Sequence, residues 1–200
     1  YEIMPSLVGS EMCIRDRVSI PHDAKSRNGG VMYTDYALGR FFAEASKQPW
    51  FANTIFLITA DHCASSAGRT EIPLEKYHIP ALIYAPGFVE PQHVGGIVSQ
   101  IDLMPTLLSL LNMSYDSHFY GRSIYDEGYV NRAFIATYQD LGYLEGDVFT
   151  ILSPVRRFEQ YRVVPTEDNP HNLEPMETEN PEQVSRAIGY YQTSSAWNKR

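Results

Sequence analysis

The sequence lacks features that mark several classes of protein. No apolar stretch approaches the roughly 20 residues that span a bilayer, and no secretory signal is visible. Because the chain begins with Tyr1 rather than Met, the missing signal does not decide a compartment.

Basic residues are few, 16 Lys and Arg against 24 Asp and Glu, and the net charge of −8 argues against a nucleic-acid-binding surface. The two cysteines, Cys13 and Cys63, allow one disulfide at most. The composition is that of a globular protein, and 200 residues suffice for one domain with a sizeable core.

The central feature of the sequence is the stretch 53–71, which reads NTIFLITADHCASSAGRTE. Its apolar, β-branched part, residues 54–59, predicts a strand buried on both faces, as in a parallel sheet. Asp61 and His62 follow directly, and ligands of open α/β sheets bind just beyond the carboxyl ends of the strands. Extended neighbours point to opposite faces, so both side chains can reach one divalent cation only if the chain turns there. Small and polar residues favour that turn, namely Ser65, Ser66 and Gly68.

Two other interpretations of the Asp61–His62 pair remain open. In the first, Asp61 caps a turn and His62 is a surface histidine, since such pairs are common by chance. A hydrolase with an Asp–His dyad and a serine, Ser65 or Ser66, is disfavoured because no G-x-S-x-G elbow follows a strand.

Periodicity and turn residues predict the remaining elements. An amphipathic helix is expected over residues 31–47, ending before Pro49, and a helix is expected from Asp102 to Leu111 with Asp102 as its N-cap. We interpret Asp102 as structural, because capping explains it without a catalytic role. Short strands are predicted at residues 79–85, 133–138, 142–145, 148–152 and 158–164. An exposed acidic linker is predicted over 165–183, followed by a helix over 184–197.

Two longer segments carry a family resemblance. Residues 59–87, TADHCASSAGRTEIPLEKYHIPALIYAPG, and residues 99–125, SQIDLMPTLLSLLNMSYDSHFYGRSIY, closely resemble the Gram-negative branch of the lipoteichoic-acid-synthase-like sulfatases. These proteins belong to the alkaline phosphatase superfamily. The resemblance implies an α/β fold: a sulfatase-like mixed sheet flanked by helices, with a small C-terminal antiparallel subdomain. The N-terminal half of that fold is expected to precede the matching segment.

The resemblance also divides the chain. Residues 18–130 correspond to the C-terminal half of the catalytic domain, and residues 131–200 to the antiparallel subdomain with the linker and the last helix. Residues 1–17 do not fit the rest and resemble a translated sequencing-adapter sequence, so we exclude them from fold reasoning.

Members of this family cleave or transfer phosphate or sulfate esters with the help of a metal. The resemblance assigns Asp61 and His62 as two metal ligands, and this donor set suits Mn²⁺ or Zn²⁺ better than Mg²⁺ or Ca²⁺, which remain alternatives. His78 and Arg69 are the candidate substrate-binding residues. The alternatives are a His78 bonded to a neighbouring carbonyl and an Arg69 that is a solvated loop charge.

The departure from the family concerns the nucleophile. The family's nucleophile and remaining metal ligands lie upstream, and Thr34, Thr59 and Thr70 lack the strand-to-helix context that a nucleophile needs. We therefore expect the parent protein to be an enzyme and these 200 residues alone to be inactive.

The resemblance further implies a membrane anchor in the full-length protein, which would lie in the inner membrane with a periplasmic catalytic domain. The implied partner is a phosphate- or sulfate-ester substrate, such as a phospholipid head group or an envelope glycan, and no nucleic acid. The alternative function is a non-catalytic, envelope-associated module with a structural Asp–His pair.

Overall fold

A computed structural model describes residues 27–63 and 72–197. The described part of the chain contains three α-helices and seven strands. The helices are α1 (Arg27–Ala45), α2 (Leu103–Leu110) and α3 (Pro181–Trp197). The strands are β1 (Phe56–Thr59), β2 (Ala81–Tyr84), β3 (Arg132–Ala136), β4 (Leu141–Glu145), β5 (Val148–Ser153), β6 (Arg157–Val163) and β7 (Leu173–Pro175). Within these ranges, no helix combines the length and the apolar character needed to cross a membrane.

The described residues fall into two compact units. The first consists of residues 27–55 and 85–89, and the second of residues 56–63, 72–84 and 90–197. Helix α1 is the main element of the first unit. It begins four residues before the predicted start at residue 31 and ends at Ala45, ahead of Pro49 as expected. Leu38 and Phe41, which the amphipathic pattern places on the apolar face, are exposed.

Strands β1 and β2 pair antiparallel in the second unit, with Phe56 opposite Tyr84 and Thr59 opposite Ala81. Both strands were predicted from their apolar runs, but the prediction of a strand buried on both faces is wrong. The side chains of β1 are half-buried or exposed, and Leu82 in β2 is exposed. The predicted setting in a parallel sheet is wrong as well, because β1 and β2 form a separate two-stranded antiparallel sheet in the described chain. Burial on both faces requires a packed layer on each side of a sheet, as in parallel sheets covered by helices.

The remaining strands form a five-stranded antiparallel sheet in the order β3-β4-β5-β6-β7. Four of them were predicted. The core on this sheet contains Ile135, Leu144 and Phe149 together with Ile72 and Leu74, which lie on the segment that leads into β2. The second unit therefore joins the segment before β2 to the five-stranded sheet through one apolar core. The predicted boundary at residue 130 stays a prediction.

Close packing in this core depends on a glycine in β4. A Cβ at Gly142 would lie 2.8 Å from the ring carbons of Phe149, which is completely buried. Only a residue without a side chain leaves room for that aromatic ring, so the glycine and the phenylalanine together set the local packing.

The predicted exposed linker over residues 165–183 is wrong in its second half. Strand β7 pairs with β6, and Asn180 caps α3 by accepting a hydrogen bond from the Gln183 amide at 3.1 Å. The Gln183 side chain is itself buried and donates to the Val148 carbonyl at 2.7 Å. The composition of the segment does not indicate strand β7 or the helix cap, because strand pairing and helix capping use main-chain and amide groups rather than apolar side chains.

The N-cap predicted at Asp102 is also wrong. Asp102 has helical dihedral angles, φ −84° and ψ −13°, and its side chain forms no capping hydrogen bond. A cap residue normally leaves the helical region so that its side chain can reach the first free amides. The Asp102 carboxylate is instead directed into the interior, where it pairs with Arg132. The interpretation of Asp102 as a structural residue agrees with this position.

Candidate functional site

The loop that follows β1 is held by hydrogen bonds from two directions. The Ala60 amide donates to the Pro80 carbonyl at 3.4 Å, which extends the β1–β2 pairing by one step. The Gln100 side chain donates to the Ala60 carbonyl at 3.3 Å. These bonds place residues 60–63 beside the segment that enters β2.

Asp61 and His62 lie on a bend of this loop, and the bend brings their side chains together. The His62 amide donates to Asp61 Oδ1 at 2.9 Å, and His62 Nε2 lies 3.6 Å from Asp61 Oδ2. Both side chains are largely exposed, 87% for Asp61 and 68% for His62. The turn that the sequence required for a shared ligand is therefore present, and both groups are accessible from solvent.

The hydrogen bond of the His62 ring determines which nitrogen carries the proton. Nδ1 lies 2.9 Å from the Cys63 carbonyl oxygen. Because a carbonyl can only accept, Nδ1 carries the hydrogen, and Nε2 of the neutral ring holds a lone pair on the side near Asp61. Histidines that bind metals commonly donate their other ring N–H to a carbonyl or carboxylate in this way. The carboxylate and the oriented imidazole thus fit two positions of a divalent metal site.

A complete metal site needs further donors. Across residues 27–63 and 72–197, no cluster of three or more His, Cys, Asp or Glu side chains is placed to hold an ion. Cys63, which follows His62, directs its Sγ to the His78 carbonyl at 3.3 Å. Cys13, its potential disulfide partner, lies outside the described residues.

His78 is exposed and forms an unexpected contact. Its Nδ1 lies 3.1 Å from Nε2 of His171, and the two rings are nearly perpendicular, at 87°. The bond to a neighbouring carbonyl that the sequence offered as an alternative is therefore replaced by a bond to a second imidazole. Burial, followed by the proximity of His78, lowers the pKa of His171, while the nearby Glu75 opposes this shift.

Sequence reasoning missed His171, which lies in the segment predicted to be a linker. Its position follows from the β6–β7 pairing, which the Val164 amide extends by donating to the Asn172 carbonyl at 2.9 Å. The His171 amide donates to Asn169 Oδ1 at 2.9 Å and closes the turn. His78 and His171 are 93 residues apart in sequence, so no local pattern could have paired them.

Arg69, the second candidate substrate-binding residue, lies outside the described residues, as do Ser65, Ser66, Gly68 and Thr70. The predicted role of Arg69 therefore stays a prediction, as does the alternative of a hydrolase with an Asp–His dyad and a serine.

Comparisons with known proteins show what the chain is similar to. A sequence model named Sulfatase matches residues 10–113, a range that contains Asp61, His62 and His78. The match begins within residues 1–17, whose adapter origin stays a prediction.

Arylsulfatase K of Gallus gallus is 27% identical over 96 residues, which make up 46% of this chain and 18% of that protein. A crystal structure of a protein in the alkaline phosphatase superfamily from Vibrio parahaemolyticus superposes with a TM-score of 0.73 at 29% identity. The match covers 88% of this chain and 44% of that chain. The chain thus spans less than half the length of each of these two relatives.

Proposed function

Because this chain belongs to the sulfatase family, we propose that it supplies part of a metal-dependent site that hydrolyses or transfers sulfate or phosphate esters. The observation that carries the proposal is the arrangement of Asp61 and His62 at the end of β1. Their acidic and imidazole groups approach to 3.6 Å. The contact of His62 Nδ1 with the Cys63 carbonyl makes Nε2 the nitrogen through which a neutral ring would bind a metal. The match of the family model over these residues and the alkaline phosphatase superfamily neighbour support the same chemistry.

The donor set favours Mn²⁺ or Zn²⁺, because a nitrogen ligand disfavours the hard alkaline-earth ions. Mg²⁺ and Ca²⁺ are the alternatives. A bound divalent cation would supply a Lewis acid that neutralises charge on the ester oxygens. Within this chain, Asp61 contributes the anionic ligand and His62 the neutral one. His78 lies on the adjoining segment, anchored through its carbonyl to Cys63 Sγ. Its exposed ring is the group of this chain that we propose contacts the ester anion.

The proposed substrate is a sulfate or phosphate ester, with a phospholipid head group or an envelope glycan as the carrier. We further propose that the parent protein is anchored in the inner membrane and carries its catalytic domain in the periplasm. The support for both statements is the resemblance of residues 59–87 and 99–125 to the lipoteichoic-acid-synthase-like branch.

Metal binding is the first test. The ¹⁵N-labelled chain is titrated with Mn²⁺, and paramagnetic broadening of the amide signals identifies the binding residues. We expect the signals of Asp61 and His62 to broaden first, and we expect Asp61→Asn and His62→Gln to weaken Mn²⁺ binding by about tenfold or more. The matched controls are Asp147→Asn and His93→Gln, which should leave the affinity unchanged. Equal affinity in all four variants would contradict the metal site and favour the non-catalytic module.

Turnover is the second test. The complete product of the gene is assayed with p-nitrophenyl sulfate and p-nitrophenyl phosphate, with and without metal. We expect ester hydrolysis that is lost in the chelated protein and in Asp61→Asn, and we expect the 200-residue chain to bind metal without turnover. The preferred ester distinguishes sulfate from phosphate chemistry. Full activity in Asp61→Asn would contradict the proposal.

A further inference from the structure

The contact between His78 and His171 joins two distant parts of the second unit. His78 lies on the segment that enters β2, and His171 lies just before β7. The atoms in contact are His78 Nδ1 and His171 Nε2, at 3.1 Å. His171 is half-buried, while the His78 ring is exposed, so one ring is set in the protein and the other faces solvent.

The number of protons in this contact is limited by chemistry. Two lone pairs would repel each other, and two N–H groups would clash, so one hydrogen lies between the two nitrogens when both rings are neutral. If the hydrogen belongs to His171 Nε2, His78 Nδ1 accepts it and His78 carries its own hydrogen on Nε2. If the hydrogen belongs to His78 Nδ1, then His78 Nε2 holds a lone pair. The direction of the hydrogen bond at His78 Nδ1 therefore determines whether His78 Nε2 carries a hydrogen or a lone pair.

We propose that His171 is a positioning residue for His78: its Nε2–H donates to His78 Nδ1 and thereby holds His78 as the Nε2–H tautomer, a donor for an ester oxyanion. The choice between the two arrangements rests on the proposed function, because an anion requires a donor and repels a lone pair.

The placement of both residues by the fold supports this role. The His78 backbone is held by the Cys63 Sγ bond to its carbonyl, at 3.3 Å. The His171 backbone is held by Asn169 and by the end of the β6–β7 ladder. Ile72 and Leu74, which precede His78, share one apolar core with Leu173, which follows His171. The contact between the rings is therefore built by the core and needs no ligand to form.

The charged groups around the pair agree with a neutral His171. Its burial and the proximity of His78 both disfavour a positive charge on the ring, whereas Glu75 favours one. A neutral His171 has one N–H, and the proposed arrangement places it on Nε2, where it donates to His78 Nδ1.

The decisive measurement is the side-chain ¹⁵N spectrum of the histidines in the 200-residue chain, recorded above neutral pH. Long-range ¹H–¹⁵N correlations report directly which nitrogen of a neutral ring carries the hydrogen. We expect the Nε2–H form for His78 in the unmodified chain. In His171→Ala we expect a mixture of tautomers, and in His171→Gln, whose side-chain amide can donate at a similar place, we expect the Nε2–H form to return. His93→Gln is the matched control and should change nothing.

The second readout is binding of inorganic phosphate, compared with sodium chloride at equal ionic strength. We expect phosphate to shift the His78 signals in the unmodified chain, with affinity reduced roughly tenfold in His171→Ala and recovered in His171→Gln.

The outcomes separate the two proposals. An Nδ1–H tautomer of His78 in the unmodified chain overturns the positioning role, as does a tautomer that is the same in His171→Ala. The expected tautomer without any phosphate effect on His78 supports the positioning role and contradicts the proposed ester site. Circular dichroism checks that the variants fold. If His171→Ala does not, the unmodified chain and His171→Gln decide the question.

Discussion

Asp102 and Arg132 form a fully buried ion pair that connects the start of α2 to β3. Arg132 Nη2 lies 3.2 Å from Asp102 Oδ1 and Nη1 lies 3.4 Å from Oδ2, so the guanidinium contacts both carboxylate oxygens. The carboxylate also accepts hydrogen bonds from the Arg122 amide at 2.8 Å and from the Tyr129 hydroxyl at 2.9 Å. The Arg132 charge faces aromatic rings as well, with Phe134 at 5.6 Å. Arg132 Nε is buried with no hydrogen-bond partner in the described chain, but the paired Nη1 and Nη2 and the four contacts of the carboxylate are what allow both charges to remain in the interior.

Removing one charge of this pair should strongly destabilise the fold. For Asp102→Ala we expect a loss of about 3–5 kcal/mol in the free energy of unfolding, because Arg132 is left buried and uncompensated. The measurement is urea unfolding followed by circular dichroism. Glu44→Gln, in the exposed Glu44–Lys47 pair, is the control and should give no resolvable change. The double variant Asp102→Leu/Arg132→Met should be less destabilised than Asp102→Ala, and a larger loss would contradict this explanation.

Gly121 should be intolerant of any side chain. A Cβ at this position would clash with the Ile101 carbonyl oxygen, and the main chain there cannot move aside easily. We expect Gly121→Ala to lower the free energy of unfolding by about 3 kcal/mol, the upper end of the usual range for overpacking. The control is Gly189→Ala in α3, where a Cβ meets nothing within 4 Å. That control should raise stability by about 0.5–1 kcal/mol, because alanine favours the helix. Equal effects of the two substitutions would show that the close approach to Ile101 is wrong.

The Tyr191 hydroxyl should make stability depend on alkaline pH. It lies within hydrogen-bond distance of two carbonyls, Ile135 at 2.9 Å and Gly142 at 2.6 Å, and burial raises its pKa from 10.0 to about 12. The raised pKa means that the folded state holds this proton more tightly than the unfolded state. Its contribution to stability is therefore complete below about pH 10 and declines as the pH rises toward 12.

Tyr191→Phe tests this prediction. We expect a loss of about 1–2 kcal/mol at neutral pH, because the one hydrogen that the hydroxyl donates to the strand carbonyls is removed. Above pH 10 the gap between the two proteins should narrow, as measured by urea unfolding across the alkaline range. Tyr138→Phe is the control, since Tyr138 is 96% exposed. A gap that stays constant with pH would contradict the shifted pKa.

His171 should make stability depend on mildly acidic pH. Its pKa lies below the ordinary value of 6.5, because burial and then His78 disfavour the charged ring. The folded state therefore binds this proton less readily than the unfolded state. The stability associated with the neutral His171 ring is complete above pH 6.5 and is lost as the pH falls below that value.

The pKa of His171 can be followed by NMR. In the unmodified chain we expect a value below 6.5, and in His78→Gln we expect the value to rise, since one of the causes of the shift is removed. The decline in unfolding free energy below pH 6.5 should also be smaller in His171→Gln than in the unmodified chain. An unchanged pKa of His171 in His78→Gln would contradict the close contact between the rings.

The meander β3–β6 was predicted to within two residues at every strand end. The predicted range 142–145 became Leu141–Glu145, and 148–152 became Val148–Ser153. This accuracy has a local cause, because alternating apolar residues set each strand and turn residues such as Gly146 and Asp147 separate them. The position of Asp61 and His62 directly after a strand was predicted on the same basis.

The errors have two causes. The pair of Asp102 and Arg132 and the contact of His171 with His78 join residues that are 30 and 93 positions apart in sequence. Strand β7 pairs with the preceding strand β6 and was missed because of its composition. A polar segment such as residues 165–183 contains no local sign that its main chain will pair with β6. Likewise, Asp102 before a helix has the same local pattern whether it caps the helix or enters the core.

The sequence by itself determined the antiparallel meander, the adjacent Asp61–His62 pair beyond β1 and the net charge of −8, since each depends on composition or on neighbours along the chain. The tertiary structure alone decided that His171 reaches His78 and that Asp102 is buried against Arg132. The physical reason is that hydrogen bonds and charge pairs between distant segments form only after the apolar core has brought those segments together.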